Sequence, residues 1–265
     1  MNDSNTIEPT VSVWIDGAKA EAKAGEPVLD VARRIGVRIP TLCHHEALPS
    51  VGACRVCLVE IVRASCPDKT EIVTACEFPA EDGLRVETRT DRVRRQRQTI
   101  LSLLAARAPY VPLLRQMADA EGGLLDIAPF AERDDCIMCT LCTRSCAVIG
   151  LEAITPVGRG SKKKVGPPFG GAADLCVGCG TCARVCPTGC IEMKDTGTTR
   201  TIWKKTFDFV RCEQCGAPTI TKDFMAHVTA KYGVDESHYK LCASCKKNET
   251  AAQFLRLSRP QDFGA

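Results

Sequence analysis

Eighteen of the 265 residues are cysteines, and the chemistry this chain can do is written in their spacing. Cys136, Cys139, Cys142 and Cys146 follow C-x2-C-x2-C-x3-C. Cys176, Cys179, Cys182 and Cys186 repeat it, and the second copy ends in Cys186-Pro187. Four thiolates at this spacing can wrap a cubane, three sulfurs coming from a tight loop and the fourth from a following helix. Soft thiolate ligands suit iron–sulfur clusters, and in a run of this type the fourth Cys serves the other cluster of a pair. Zinc, or thiols that merely lie close, accounts poorly for eight cysteines in one double register. The expectation is one [4Fe–4S] on Cys136, Cys139, Cys142 and Cys186, and a second on Cys176, Cys179, Cys182 and Cys146.

A further set closes the chain: Cys212-Glu213-Gln214-Cys215 and Cys242-Ala243-Ser244-Cys245, with 26 residues between the two pairs. Paired C-x2-C knuckles, the first followed by Gly216, resemble a zinc ribbon with a tetrahedral four-thiolate site. A helix over Asp223–Tyr232 is expected to fill the long separation. Zinc is the leading reading and a further iron–sulfur cluster the alternative. His227 and His238 lie between the pairs, but four thiolates already complete the set.

Composition bounds the rest. Hydrophobic residues make up 45% and aromatics 5%, so several small domains are expected rather than one large aromatic-rich core. The cysteines are spread through a chain far longer than a disulfide scaffold. Met1–Thr6 shows neither a basic nor an apolar leader region, and no apolar run approaches the roughly 18 residues of a membrane span. A cytoplasmic chain with no membrane association is expected. A net charge of +3 is too small to argue for nucleic acid.

The elements that must position these thiols follow from pattern. Val11, Val13 and Ile15 alternate with polar residues up to a turn at Asp16-Gly17, and residues 18–24 return as a second strand. Gly25-Glu26-Pro27 breaks the chain before a helix over Val28–Ile35 that Gly36 ends. Residues 58–62, 72–76 and 83–88 read as further strands, and together these describe a small α+β sheet domain. Asp91–Met117 carries helical apolar stripes that Pro109 and Pro112 interrupt. The arginines at 89, 92, 94, 95 and 97 read as a solvated flank, with a docking face for an acidic partner as the sharper alternative. Residues 161–171 read as a solvated loop.

Three stretches then carry a resemblance: Ile39-Pro40-Thr41-Leu42-Cys43, Gly52-Ala53-Cys54-Arg55-Val56-Cys57-Leu58-Val59-Glu60, and Thr74-Ala75-Cys76-Glu77-Phe78-Pro79. They resemble the N-terminal domain of the complex I large iron–sulfur subunit, a module also found in soluble NAD-linked hydrogenases and formate dehydrogenases. The resemblance implies a β-grasp ferredoxin domain holding one [2Fe–2S] on Cys43, Cys54, Cys57 and Cys76, spaced C-x10-C-x2-C-x18-C. Cys66 has no place in that pattern and reads as a bystander. Residues 136–146, Gly158-Arg159-Gly160 and 175–189 resemble the double-cubane domain of the same family, with Cys190 as a buried structural thiol. In the segment between, relatives carry an extra cluster bound by one His and three Cys. Here Leu104-Ala105-Ala106-Arg107-Ala108-Pro109 stands in that place, with no Cys between Cys76 and Cys136 and no His nearby. Without that cluster, either the domains pack more closely or the [2Fe–2S] exchanges electrons with another subunit.

The expected fold is α+β. A β-grasp [2Fe–2S] domain (9–90) precedes a helical linker (91–130), a double [4Fe–4S] ferredoxin domain (131–200) and a zinc-ribbon-like module (205–250). No nucleotide fingerprint or catalytic triad accompanies the cysteines. The expected function is an electron-transfer subunit, a relay that is not itself catalytic. The resemblance supplies its partners: a flavoprotein subunit handling NAD(P)H, and a catalytic subunit of the hydrogenase or formate dehydrogenase kind. The expected cofactors are one [2Fe–2S], two [4Fe–4S] and one Zn2+. The alternative is a free-standing redox adaptor or sensor whose zinc tail binds a partner or nucleic acid.

Overall fold

A computed structural model describes residues 9–130 and 134–257. The leaderless start expected at residues 1–6 and the first three residues of the 131–200 segment lie outside them. Strand β1 (Thr10–Ile15) turns at Asp16-Gly17, both with positive φ (48° and 81°), into antiparallel β2 (Ala18–Lys23). That pair of left-handed residues is what a tight hairpin turn requires. Helix α1 (Val28–Arg34) follows, then β3 (Leu58–Arg63), β4 (Cys66–Thr74) and β5 (Leu84–Glu87). The sheet order is β2-β1-β5-β3-β4, with β1 parallel to β5 and the other neighbours antiparallel. Alternation turns Val13, Ile15, Val59, Ile61 and Val86 to one face, where they bury Val28, Leu29, Val31 and Ala32 of α1. The first N–H groups of α1 have no partner within the helix. Val28 N–H donates to the Phe78 carbonyl (2.9 Å) and Leu29 N–H to that of Ala75 (2.9 Å), so the helix end holds the loop around Cys76.

Helix α2 (Asp91–Arg107) starts at Thr90, whose hydroxyl accepts from Val93 N–H at 3.2 Å, and α3 (Pro112–Asp119) follows with proline in its first turn. The two prolines split the apolar stripe into two packed helices rather than one long helix. Leu101, Ala108, Val111, Leu114 and Ala118 from this pair form a second core with Leu42 and Val56 on one side and Ile137 and Leu141 on the other. The helical pair is therefore a packed wall against both cysteine-bearing regions.

Beyond it come α4 (Leu141–Ile149), β6 (Thr155–Val157), β7 (Lys164–Gly166) and α5 (Thr181–Arg184). β6 and β7 pair antiparallel, so part of the stretch expected as a solvated loop is a small ribbon. Strands β8 (Met193–Asp195), β9 (Thr199–Ile202), β10 (Lys205–Arg211) and β11 (Pro218–Thr221) form a second sheet in the order β11-β10-β9-β8. Helices α6 (Lys222–Tyr232) and α7 (Ala243–Leu257) complete the described chain. Among the described residues no helix is long and apolar enough to cross a membrane.

Leu114, fully buried in the second core, tests the packing of the helical wall. Leu114→Ala is expected to lower the unfolding free energy by about 2–5 kcal/mol in urea titrations followed by circular dichroism. A loss well under about 1 kcal/mol would mean that the wall is not packed as described.

Candidate metal centres

Cys43, Cys54, Cys57 and Cys76 are all buried, on two loops at one end of the first sheet. Cys54 N–H donates to Cys43 Sγ (3.4 Å), Cys57 and Cys76 sulfurs stand 3.4 Å apart, and Ala75 N–H ties to the Cys57 carbonyl (3.0 Å). A hydrogen bond from Cys54 brings the Cys43 thiol down to about 6, and one from Cys76 brings Cys57 down to about 7. Cys54 and Cys76 are pushed up in turn by the same bonds. Cys66 is exposed at the start of β4, apart from this set.

The eight thiols of the double register divide between two cavities. One of about 180 Å³ is lined by Cys136, Cys139, Cys142 and Cys186 together with Cys190. The other, about 20 Å³, is lined by Cys146, Cys176, Cys179 and Cys182. Each cavity thus takes three thiols from one run and one from the other. The chain does this by placing Cys146 in α4 and Cys186 just beyond α5, and the two helices pack together. Burial pushes Cys139 up to about 11, Cys142 to about 12 and Cys182 to about 11, with Cys146 and Cys176 shifted the same way. Thiols in apolar surroundings hold their protons until a coordinated cation displaces them. Cys190 was expected as a buried structural thiol; it is half-buried and its sulfur lies 3.6 Å from that of Cys186.

The two runs share a backbone shape that the sequence spells differently. Met138 and Thr140 (φ 54° and 60°) occupy the left-handed positions that Gly178 and Gly180 (φ 68° and 76°) hold in the second run. Only the second run needs glycine there. A Cβ on Gly178 would lie 2.5 Å from the Phe207 ring, and one on Gly180 would lie 2.8 Å from Arg200 and Met193.

Four residues outside the cysteine pattern hold these loops. The Arg144 guanidinium donates to the carbonyls of Pro49 (2.6 Å), Cys43 (2.5 Å) and Cys139 (3.4 Å), joining the first cysteine set to the second. Arg107, at the end of α2, donates to the carbonyls of Cys136 (2.7 Å) and Lys163 (2.6 Å). Arg200 is 5% exposed. It makes a bidentate pair with Asp195 (both 2.7 Å) and donates to the carbonyls of Gly178 (3.1 Å) and Cys179 (3.0 Å). Trp203 and Lys204 both adopt positive φ (51° and 61°) at the β9–β10 turn, a conformation costly for such residues. The turn delivers the Trp203 indole N–H to Cys182 Sγ at 3.4 Å. Arginine and tryptophan at these places carry no spacing signal; only the fold brings them to the thiols.

In the tail, the sulfurs of Cys212, Cys215, Cys242 and Cys245 all lie within 4.8 Å of one another. Cys242 N–H donates to Cys212 Sγ (3.3 Å) and Cys245 N–H to Cys242 Sγ (3.4 Å). Backbone donors, first that of Cys242, bring the Cys212 thiol down to about 6. His227 lies elsewhere, against the Ile149 carbonyl (2.9 Å) at the end of α4, and His238 stacks edge-on with Tyr239. Donor type and spacing fit metal or iron–sulfur binding in all four sets.

Known proteins bear on these centres. Residues 8–91 match the family described as 2Fe-2S iron-sulfur cluster binding domain. Residues 130–193 and 175–220 match two families described as 4Fe-4S dicluster domain. The NADPH-Fe(3+) oxidoreductase subunit alpha of Geobacter sulfurreducens is 32% identical over 69% of this chain and 24% of its own length. The NADH-ubiquinone oxidoreductase 75 kDa subunit of Reclinomonas americana is 27% identical over 73% of this chain and 31% of its own. The NADP-reducing hydrogenase subunit HndD of Solidesulfovibrio fructosivorans is 29% identical over 68% and 36%. The chain thus spans about a quarter to a third of the length of these relatives. A chain in the crystal structure of an NAD+-reducing [NiFe]-hydrogenase in the H2-reduced state aligns with a TM-score of 0.59 at 28% identity. The alignment covers 68% of this chain and 86% of that one. The protein thus carries a [2Fe–2S] domain followed by [4Fe–4S] dicluster sequence, and its relatives are iron–sulfur subunits of NAD(P)H-linked oxidoreductases and hydrogenases.

The Arg200–Asp195 pair makes a pH-dependent prediction. Hydrogen bonding to Arg200 holds the Asp195 carboxyl below its ordinary value, so the folded state favours the carboxylate. The stabilisation is complete above the unfolded-state value of 3.8 and is lost as pH falls through the lower folded one. Wild type is expected to unfold at a higher temperature than Asp195→Asn at pH 7, with the gap closing in strongly acidic buffer. A gap independent of pH in thermal scans would exclude this role.

Proposed function

We propose that this relative of the iron–sulfur subunits of NAD(P)H-linked oxidoreductases and hydrogenases is an electron-transfer relay. It would pass electrons between a flavoprotein subunit that handles NAD(P)H and a catalytic oxidoreductase subunit in the cytoplasm. Cys43, Cys54, Cys57 and Cys76 hold one [2Fe–2S]. One [4Fe–4S] is held by Cys136, Cys139, Cys142 and Cys186, and the other by Cys176, Cys179, Cys182 and Cys146. Cys212, Cys215, Cys242 and Cys245 hold one Zn2+. When bound, the clusters supply one-electron acceptance and release.

The observation that carries the relay is a shared core. Cys43 and Cys54 of the first set and Cys139 of the second are buried in one apolar cluster with Leu101, Val111 and Leu114. Electron tunnelling falls steeply with distance, so direct packing of the two sets supports transfer between them without an intervening cofactor. The helical wall, in the place where relatives carry an extra cluster, excludes water, and Arg144 fixes the Cys43 and Cys139 backbones to each other. For the tail, four Zn–S bonds of about 2.3 Å set sulfurs about 3.8 Å apart. The 3.7 Å between Cys215 and Cys242 suits a single ion better than a cubane, which holds its thiolates farther apart. The tail is docked, not pendant: Tyr232 and His227 contact the Ile149 carbonyl, and the Thr221 hydroxyl donates to Val177 (2.5 Å).

Anaerobically purified protein is expected to contain about ten iron and one zinc. About eight iron would remove the N-terminal set, and about fourteen iron without zinc would make the tail a third cubane. Cys190→Ser is expected to leave the iron content unchanged. In EPR of the reduced protein, the [2Fe–2S] signal is expected to be broadened by a neighbouring reduced cubane; an unbroadened signal would refute direct transfer. Trp203→Phe removes a hydrogen bond to Cys182 Sγ that favours the reduced state. Redox titration is expected to show one [4Fe–4S] potential lowered, with iron content retained.

A further inference from the structure

The arginine run at the start of α2 is divided by the fold. Arg92 pairs with Glu60 (3.1 Å), and Arg95 is exposed and does not line the cavity described next. Arg89, Arg94 and Arg97 instead join Arg33 and Arg38 around a cavity of about 790 Å³ between α1, the segment before Cys43, and the α2–α3 pair. A single carboxylate, Glu121, faces these five guanidinium groups. Arg97 is 3% exposed. It donates to the Leu58 carbonyl (2.5 Å) and pairs with Glu121 (3.2 Å), while its Nε is buried with no partner among the described residues. The other four arginines make no ion pair among the described residues.

Crowded cations without counter-ions are unfavourable, and a buried guanidinium N–H without an acceptor more so. An anion in the cavity relieves the crowding of the guanidinium groups. Guanidinium forks match phosphate oxygens two at a time, and several on one wall suit a polyphosphate. Pro40, Leu113 and Met117 add an apolar wall, beside which Thr41 and Gln116 are the uncharged polar residues of the lining. The volume lies within the roughly 300–1,000 Å³ typical of cofactor-sized ligands and far exceeds a lone phosphate. We propose that this cavity binds a nucleotide, its phosphates on the arginines and its base against the Leu113–Met117 wall.

The site adjoins the first cysteine set: Leu42 in its lining precedes Cys43, and Leu58, which Arg97 holds, follows Cys57. A bound polyanion and an added electron repel each other. Occupancy therefore lowers the [2Fe–2S] reduction potential, and reduction weakens nucleotide binding by the same factor. This linkage rests on the [2Fe–2S] reading above; the binding itself does not.

Isothermal titration of the full-length, cluster-loaded protein with ADP and with inorganic pyrophosphate separates nucleotide from free phosphate. ADP is expected to bind, and more tightly than pyrophosphate. Arg94→Glu is expected to weaken ADP by about tenfold or more, while Arg95→Glu, one residue away and outside the cavity, stays near wild type. Both side chains are exposed on α2, so neither change threatens the fold. Absence of ADP binding, equal loss in the two variants, or pyrophosphate binding as tightly as ADP would overturn the nucleotide site. A polyglutamate peptide that binds where ADP does not would assign the arginines to a protein partner and overturn it too. ADP binding that leaves the [2Fe–2S] potential unmoved in a redox titration would overturn the linkage alone.

Discussion

The structure depends on one constraint: thiols from distant stretches of chain must meet in places where water does not reach. Thiol-bearing loops have irregular backbones, and the polar groups of an irregular backbone cannot be buried unpaired. This protein meets the requirement with arginine. Arg144, Arg107 and Arg200 each present several N–H groups from one rigid plane to the carbonyls of cysteine loops. Lysine would offer a point charge without that fork. The loops are buried because their carbonyls are satisfied, and the thiols are sequestered because the loops are buried.

The second core follows from the same constraint. Helices α2 and α3 and the turn between them present Leu101, Ala108, Val111 and Leu114 to the cysteine loops. Small side chains at 106, 108 and 118 let the chain approach closely, and Arg107 turns from the same helix end to hold Cys136. The cysteine-free segment between Cys76 and Cys136 packs against both of the first two cysteine sets, whose backbones Arg144 also joins directly.

Part of the backbone strain falls at the same places. Met138, Thr140, Trp203 and Lys204 hold left-handed conformations beside the thiols. Two of them are held by a neighbour: Thr140 accepts from Arg144 Nε at 3.3 Å, and Lys204 donates to the Gly170 carbonyl at 3.0 Å. The second sheet, β8 to β11, ties the dicluster region to the tail through Arg200, Phe207 and Thr221, so the two regions share a framework.

Much of the site was legible without coordinates, because ligand spacing is a local property. A C-x2-C-x2-C loop brings three thiols together by chain connectivity alone, and two such runs announce two centres. The hairpin, α1 and the breaks at Pro109 and Pro112 were readable for the same reason, since alternation, helical periodicity and proline act over a few residues. What required the tertiary structure was everything that joins segments far apart in the chain. The pairing of β6 with β7 and the four-stranded sheet lack strong local patterns. The division of one arginine run into an ion pair, an exposed residue and a cavity wall depends on which face of α2 packs on β3 and α3. Spacing determined which residues could bind metal; packing between distant segments decided how the centres neighbour one another, because proximity across a fold is set by burial and not by sequence separation.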